Sequence, residues 1–378
     1  MPRVPHTLSE AGLGILVKLL VACDDSPSFP GEVVTETPGL VVYRDETSIL
    51  CDGTANTWQA HVEAIAERFE GSAPAEKIEV IVTNEATRYC PRDRSGCAYA
   101  SAAPLIAVGN SWSMMHELTH TAALPIFNAD QAPFWKEGFA EALSERPTDL
   151  LREDLVTYIE ADEAEGVRYE AAAHFFKWML AVYGEDVAGA VMRDSDDRDS
   201  PGERFAALEE HLGDSFEALQ LAFWADAPLY APGIARCHET SADGTVSLAE
   251  RADFDVVLDC AAGSQGPFPA PALSGPKGGR PFVTRRIDVA EAGSYRVTPT
   301  GAEVVFLPCE PVDGAAAAGF WRAYEAKLRD SGPTLLDRQF ELQPGRYQLW
   351  VVGRTDESLA VHVTVHPFFG MSRQAGID

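Results

Sequence analysis

The chain has 378 residues, 30 Lys and Arg against 58 Asp and Glu, a formal net charge of -28, 46% hydrophobic residues and seven cysteines. That length holds two domains with cores of their own. The acidity is dispersed, with no Lys or Arg cluster, which argues against nucleic acid or an anionic membrane surface as the main partner; the ordinary apolar fraction argues against a disordered acidic chain.

In chain order, Arg3 precedes an apolar stretch from Ala11 to Ala22, and Leu20, Val21 and Ala22 stand before Cys23, Asp24 and Asp25. This resembles a bacterial lipoprotein signal with its lipobox. The resemblance implies cleavage before Cys23, lipidation of Cys23, and an exported cell-envelope protein that meets the membrane only through that anchor. Glu10 and Lys18 inside the stretch leave open a cytosolic chain with a buried first helix. The other cysteines, at 51, 90, 97, 237, 260 and 309, are even in number, which suits an oxidising compartment.

A strand is predicted from Val33 to Tyr43, a helix from Thr54 to Phe69 and an alternating strand from Lys77 to Thr83. Cys90 and Cys97 bracket a short turn-prone loop, so a disulfide between them is expected; a zinc knuckle is the other reading, without a neighbouring pair to complete it. Cys237 with Cys260 is the second expected pair, which leaves Cys51 and Cys309 as a clasp between the first and last parts of the chain. Ala98 to Val108 reads as extended. Ser111 can cap a helix to about Leu124, and Pro133 opens another to about Glu145. Helices are then expected over Asp149 to Glu165, Tyr169 to Tyr183, Glu185 to Asp194, Pro201 to Leu212 and Ser215 to Asp226.

After Pro228 the texture changes to short alternating runs with Gly and Pro turns, and Ala261 to Pro281 reads as a linker or long loop. Two strand, Gly turn, strand units, Arg286 to Val297 and Gln339 to Leu349, with strands at Glu303 to Leu307 and Leu359 to His366, predict a β-sandwich. It is similar in architecture to the pre-peptidase C-terminal sandwiches that accompany secreted bacterial peptidases.

The residues that carry chemistry are His116, Glu117, Leu118, Thr119 and His120. Helical positions four apart lie about 40° from one another, so both imidazoles can grip one zinc ion while Glu117, beside them, acts as general base toward a water. A pair of core histidines is the bland reading. Glu137, seventeen residues past His120 in the run Phe134 to Glu141, supplies a third ligand from a second helix and leaves one position open, as catalytic zinc needs.

These residues resemble the gluzincin metallopeptidases, the group that includes thermolysin and the aminopeptidase N relatives. The resemblance implies His116, His120 and Glu137 as ligands of one Zn2+ per chain, Glu117 as catalytic base, and Glu141 as a carboxylate that orients a ligand histidine. It extends to the helix from Tyr169, where Tyr169 matches an oxyanion donor; Tyr169 also lies in an apolar stripe, so a core tyrosine stays open. His174 falls on the opposite face of that helix and is expected to be exposed. The histidines at 61, 211, 238, 362 and 366 are expected to be packed or solvated.

The expectation is an α+β protein: 1-23 a lipoprotein signal segment, 24-230 a gluzincin-like zinc peptidase domain of small mixed sheet plus helical lobe, 231-281 a disulfide-containing connector and linker, and 282-378 an all-β sandwich. Its partner would be a peptide or protein substrate. No strand offers the acidic residue that docks a free amino terminus in aminopeptidases, so endopeptidase is the expected activity. The alternatives are a gluzincin-like scaffold that no longer cuts and an envelope binding protein whose function sits in the sandwich. The remaining surface acids would favour cationic peptides at long range.

Overall fold

A computed structural model describes residues 31–69, 71–90, 94–99, 104–111, 113–127, 130–144, 153–226, 245–248, 251–266, 280–310, 338–353 and 357–367. The signal segment with Cys23, Cys237 and His238 lie outside the described residues. The fold is α+β.

Strands β1 (Glu32–Glu36) and β2 (Leu40–Arg44) form an antiparallel hairpin. The single strand expected over Val33 to Tyr43 is therefore two, because Pro38 and Gly39 reverse the chain and the Thr37 N–H donates to the Leu40 carbonyl at 2.9 Å. Parallel pairing joins β2 to β3 (Ile78–Val82) and β3 to β5 (Ile106–Gly109). β4 (Gly96–Tyr99) pairs antiparallel with β5, so the sheet runs β1-β2-β3-β5-β4 with β4 on its edge. The extended run expected from Ala98 to Val108 is thus the end of one strand and the start of its neighbour.

Helix α1 (Thr54–Arg68) crosses from β2 to β3 and buries Trp58, Val62 and Ile65. Its face of the sheet, with Leu40, Val42, Ile78 and Val80, shares one core with α2 (Met114–Ala123), α3 (Pro133–Leu143) and α5 (Tyr169–Asp194). Strand side chains alternate between faces, so Ile81, Ile106 and Val108 point the other way and cover the Cys90–Cys97 disulfide. Helices α3 and α5 approach closely at Gly138, where a Cβ would come within 3.1 Å of the Ala172 backbone. The helix expected over Asp149 to Glu165 reduces, among the described residues, to α4 (Val156–Ile159) and one 3-10 turn, Ala164–Gly166. The intervening Ala161, Asp162 and Glu163 give a longer helix no large apolar side chain to bury. α5 is kinked at Gly184, and α6 (Pro201–Leu212) and α7 (Phe216–Asp226) complete the lobe.

The second half is two four-stranded sheets face to face. One runs β10 (Glu303–Pro308), β12 (Gly345–Val352), β8 (Phe282–Val289), β6 (Thr245–Ser247); the other runs β11 (Arg338–Leu342), β9 (Gly293–Pro299), β13 (Leu359–Pro367), β7 (Ala252–Leu258). Ile287, Val297, Phe306, Leu349, Val351 and Val363 fill the space between them. β6 and β7 belong to these sheets although they fall within the expected connector 231–281.

Two disulfide expectations need correction. Cys260 pairs with Cys51 rather than Cys237, and Cys51 is therefore not joined to Cys309, which is itself disulfide-bonded. The reason lies in the stretch read as a linker: residues 260–266 dock on the start of α1. Asp52 N–H donates to the Cys260 carbonyl (2.9 Å), Gly53 N–H to the Ser264 carbonyl (3.0 Å) and Thr54 Oγ1 to the Gly266 carbonyl (2.8 Å). The backbone pairing brings Cys51 and Cys260 together, and the disulfide fastens the sandwich to the first half.

Candidate metal centre

Helix α2 begins directly after β5, with the Ser113 N–H donating to Asn110 Oδ1 at 3.0 Å. Its Met114, Leu118 and Ala122 enter the core, which turns His116 and His120 toward α3. From α3, Phe134, Phe139 and Ala142 pack inward and Glu137 and Glu141 face α2. The three expected ligands meet. His120 Nε2 lies 3.1 Å from His116 Nε2 and 3.3 Å from Glu137 Oε2, and His116 Nε2 lies 3.2 Å from Glu137 Oε2. Glu141 stands behind this triangle and accepts from His116 Nδ1 at 3.0 Å, which fixes the ring and leaves Nε2 turned to the centre.

This geometry is a direct test of whether the residues fit a metal. Zinc bonds of about 2.0–2.2 Å to nitrogen and oxygen set the edges of a ligand tetrahedron at roughly 3.3–3.6 Å. The observed near-equilateral triangle approaches one face of that tetrahedron. These three residues are, among the described residues, a group that could hold a metal ion.

Burial disfavours a charged His116, yet its hydrogen bonds to Glu137 and Glu141 outweigh this and push it up to about 10. Burial holds His120 below its ordinary value. Burial would raise Glu137, but the two histidines prevail and hold its carboxyl well below the usual range.

Glu117 is 7% exposed and lines a cleft of about 640 Å³ with His116, His120, Glu137 and Tyr169. Its position depends on two glycines paired across the sheet edge, Gly96 on β4 and Gly109 on β5. A Cβ on Gly96 would sit 2.5 Å from Glu117 Oε1 and 2.9 Å from Ser113 Oγ, and one on Gly109 would also run into Ser113. The paired glycines form a notch that seats the start of α2 and the Glu117 carboxylate.

Tyr169 stacks on His116 with ring centroids 5.7 Å apart and planes 5° from parallel. Burial, and Glu137 beside its hydroxyl, push its pKa up, so the phenol stays protonated and can donate. His174, expected on the exposed face, is fully buried and meets Phe223 edge to face at 4.8 Å, because α7 covers that side of α5. His61 is also fully buried, with Nε2 2.8 Å from Thr119 Oγ1 on α2; burial takes it down to about 4, so it remains neutral. His211 and His362 pair with Asp194 and Asp255 at the surface.

Gly96, Arg94, Glu165 and Lys136 also line the cleft and were not singled out in the sequence. For Gly96 no local signal exists, since its role comes from strand register. Arg94 could have been noticed as a cation inside the Cys90–Cys97 loop.

No family model matches the chain, and no curated protein matches it. Three solved structures are similar to parts of it. The pre-peptidase C-terminal domain of collagenase from Bacillus anthracis is 10% identical over 32% of this chain and 95% of that chain, with a TM-score of 0.20. PliG of Salmonella Typhimurium, a periplasmic inhibitor of g-type lysozyme, is 13% identical over 33% of this chain and 98% of that chain, with a TM-score of 0.18. A β-glucosidase from Paenibacillus barengoltzii is 15% identical over 49% of this chain and 21% of that chain, with a TM-score of 0.16. Likenesses at these scores carry no argument about fold or function.

Proposed function

We propose that this chain is a zinc-dependent peptidase of gluzincin type, and an endopeptidase. The observation that carries the reading is the triangle of His116 Nε2, His120 Nε2 and Glu137 Oε2, with the Glu117 carboxylate in the same cleft. Two imidazoles and one carboxylate with an open fourth position are the donor set of catalytic zinc. Zinc held there supplies Lewis acidity to the attacking water and to the substrate carbonyl.

The chain's own groups do the rest. Glu117 takes a proton from the water on its carboxylate and passes it to the departing amide nitrogen, so one water enters and a carboxyl and an amine leave. The Tyr169 hydroxyl donates to the oxygen that gains negative charge. Glu141 holds His116 by Nδ1 and keeps Nε2 aimed at the centre. β4 borders the cleft along a sheet edge and carries no carboxylate to hold a free amino terminus, which favours cutting within a chain.

The disulfides Cys51–Cys260 and Cys90–Cys97 support export to an oxidising envelope compartment, the setting that a lipidated Cys23 would give. No helix among the described residues is long and apolar enough to cross a membrane.

The testing experiment is metal analysis of the purified chain with hydrolysis of a mixture of unfolded peptides. One zinc per chain, cleavage lost to a chelator and cleavage restored by zinc are expected. A zinc-replete protein that cuts nothing in the mixture would instead be a scaffold or binding protein. A sharper check uses the glycine notch. Gly96→Ala presses on the Glu117 carboxylate and on Ser113 Oγ, and no ligand atom is among the nearest neighbours of the added methyl, so zinc content is expected to hold while misplacement of the base costs about 100-fold in kcat.

A further inference from the structure

We propose that Arg94 sets substrate preference in this cleft by receiving a carboxylate of the substrate, with Glu165 occupying its guanidinium until that carboxylate arrives. The inference rests on the peptidase reading and names the substrate class.

Arg94 stands two residues before Gly96, inside the loop closed by Cys90–Cys97, and its neighbour Ser95 is tied to α2 by Ser113 Oγ donating to the Ser95 carbonyl at 3.2 Å. This fixes Arg94 to the β4 wall. Glu165 belongs to the 3-10 turn Ala164–Gly166, three residues before Arg168 and the start of α5, and lines the same cleft. The Arg94 Nη2 to Glu165 Oε1 distance is 3.0 Å, so the pair joins two of the segments that line the cleft with His116, His120 and Glu137. Arg94 lines the same cleft as Tyr169 and Glu137.

An ion pair this exposed, 36% for Arg94 and 50% for Glu165, adds little to stability, so folding gives no strong reason to put a guanidinium here. One Nη2 donor is used by Glu165, and among the described residues the other donors have no hydrogen-bond partner. A planar guanidinium with open donors matches a carboxylate in bidentate fashion. The cleft already contains such a ligand in Glu165. The long-range field of a chain at -28 draws cations, whereas Arg94, with Lys136 on the α3 side of the same cleft, selects anions at contact distance.

The carboxylate can come from an acidic side chain or from a free C-terminus, and the test separates the two. The zinc-loaded full chain is given alanine-based octapeptides carrying Glu or Gln at each position in turn, each with a free or an amidated C-terminus. A preference in kcat/KM of about tenfold to hundredfold, residing in KM, is expected for Glu over Gln at one position or for free over amidated ends. Arg94→Gln should remove that preference, Arg94→Glu should turn it toward Lys at the same position, and Glu165→Gln should strengthen it. Binding of the same labelled peptides to the Glu117→Gln chain, followed by fluorescence anisotropy, is the second readout. Arg94-dependent binding of the carboxylate peptides without any cleavage by the unmutated chain would retire the peptidase reading and leave the carboxylate site standing. Cleavage or binding without acid preference, or a preference that survives Arg94→Gln, overturns the inference.

Discussion

Glu117→Gln is expected to lower kcat on a peptide substrate by about 10²–10⁴-fold, with zinc still bound at one per chain. Glutamine keeps the size and the notch under Gly96 and Gly109, so neither the start of α2 nor the three ligands has reason to move. Glu117 is not one of the three converging donors, so its charge is not needed to hold the metal. What the amide lacks is the ability to take a proton from water and return it to the leaving nitrogen. Metal analysis, Tm and single-substrate kinetics on the same preparation check each part. A variant that keeps its zinc and its wild-type kcat would remove Glu117 as the base and with it the proposed mechanism.

Gly96→Ala reaches the same group by another route and distinguishes a displaced base from a missing one. In Gly96→Ala the carboxylate is present and out of place, so activity should fall less than in Glu117→Gln. Equal losses would mean that β4 does more than seat Glu117.

The contrast between the two substitutions also marks what could be read from the sequence. His116, Glu117 and His120 are legible because a helix places positions four apart on one face without help from distant residues, and Glu137 is legible because the second helix carries its own apolar stripe. The α+β fold and the sandwich follow from the same local periodicities. The Gly96 notch depends instead on which residue of β5 opposes β4, and nothing near Gly96 in the sequence states that Gly109 is its partner. Arg94 and Glu165 are 71 residues apart, and Cys51 and Cys260 are 209 apart. Short loops bias a sequence reading toward local disulfides, which favoured Cys237 for Cys260. Backbone docking of 260–266 on α1 decides otherwise, and it does so in a Gly-rich stretch with no periodicity to betray it. The burial of His174 escapes the sequence for a related reason: a single apolar stripe predicts one buried face, while α5 is covered by α3 on one side and by Phe223 of α7 on another.

Zinc uptake by the metal-free chain near pH 7.5 is expected to release at least one proton, the one that frees a ligand atom coming from His116 and any further one from the water that would complete the site. In the metal-free fold His116 stays protonated up to about 10, its Nδ1–H donating to Glu141 and its Nε2–H to Glu137, and Nε2 must lose its proton to become a ligand. His120, held low by burial, is already neutral, and Glu137 is already ionised, so neither adds to the count. Because the folded pKa of His116 lies above its ordinary 6.5, its contribution to the stability of the metal-free fold is full below pH 6.5 and is lost as pH rises through about 10. Zinc affinity should strengthen over that same window, about tenfold per pH unit for one proton, and zinc at 1,000 times its Kd should add about 4 kcal/mol to the folded state. Titration calorimetry in two buffers of different ionisation heat counts the proton. Glu141→Gln should weaken zinc by roughly 10–100-fold, and Glu137→Gln, which removes a ligand atom outright, by more. Uptake without proton release would mean that His116 is neutral beside its two carboxylates. Zinc affinity unchanged in Glu137→Gln would mean that the metal sits elsewhere.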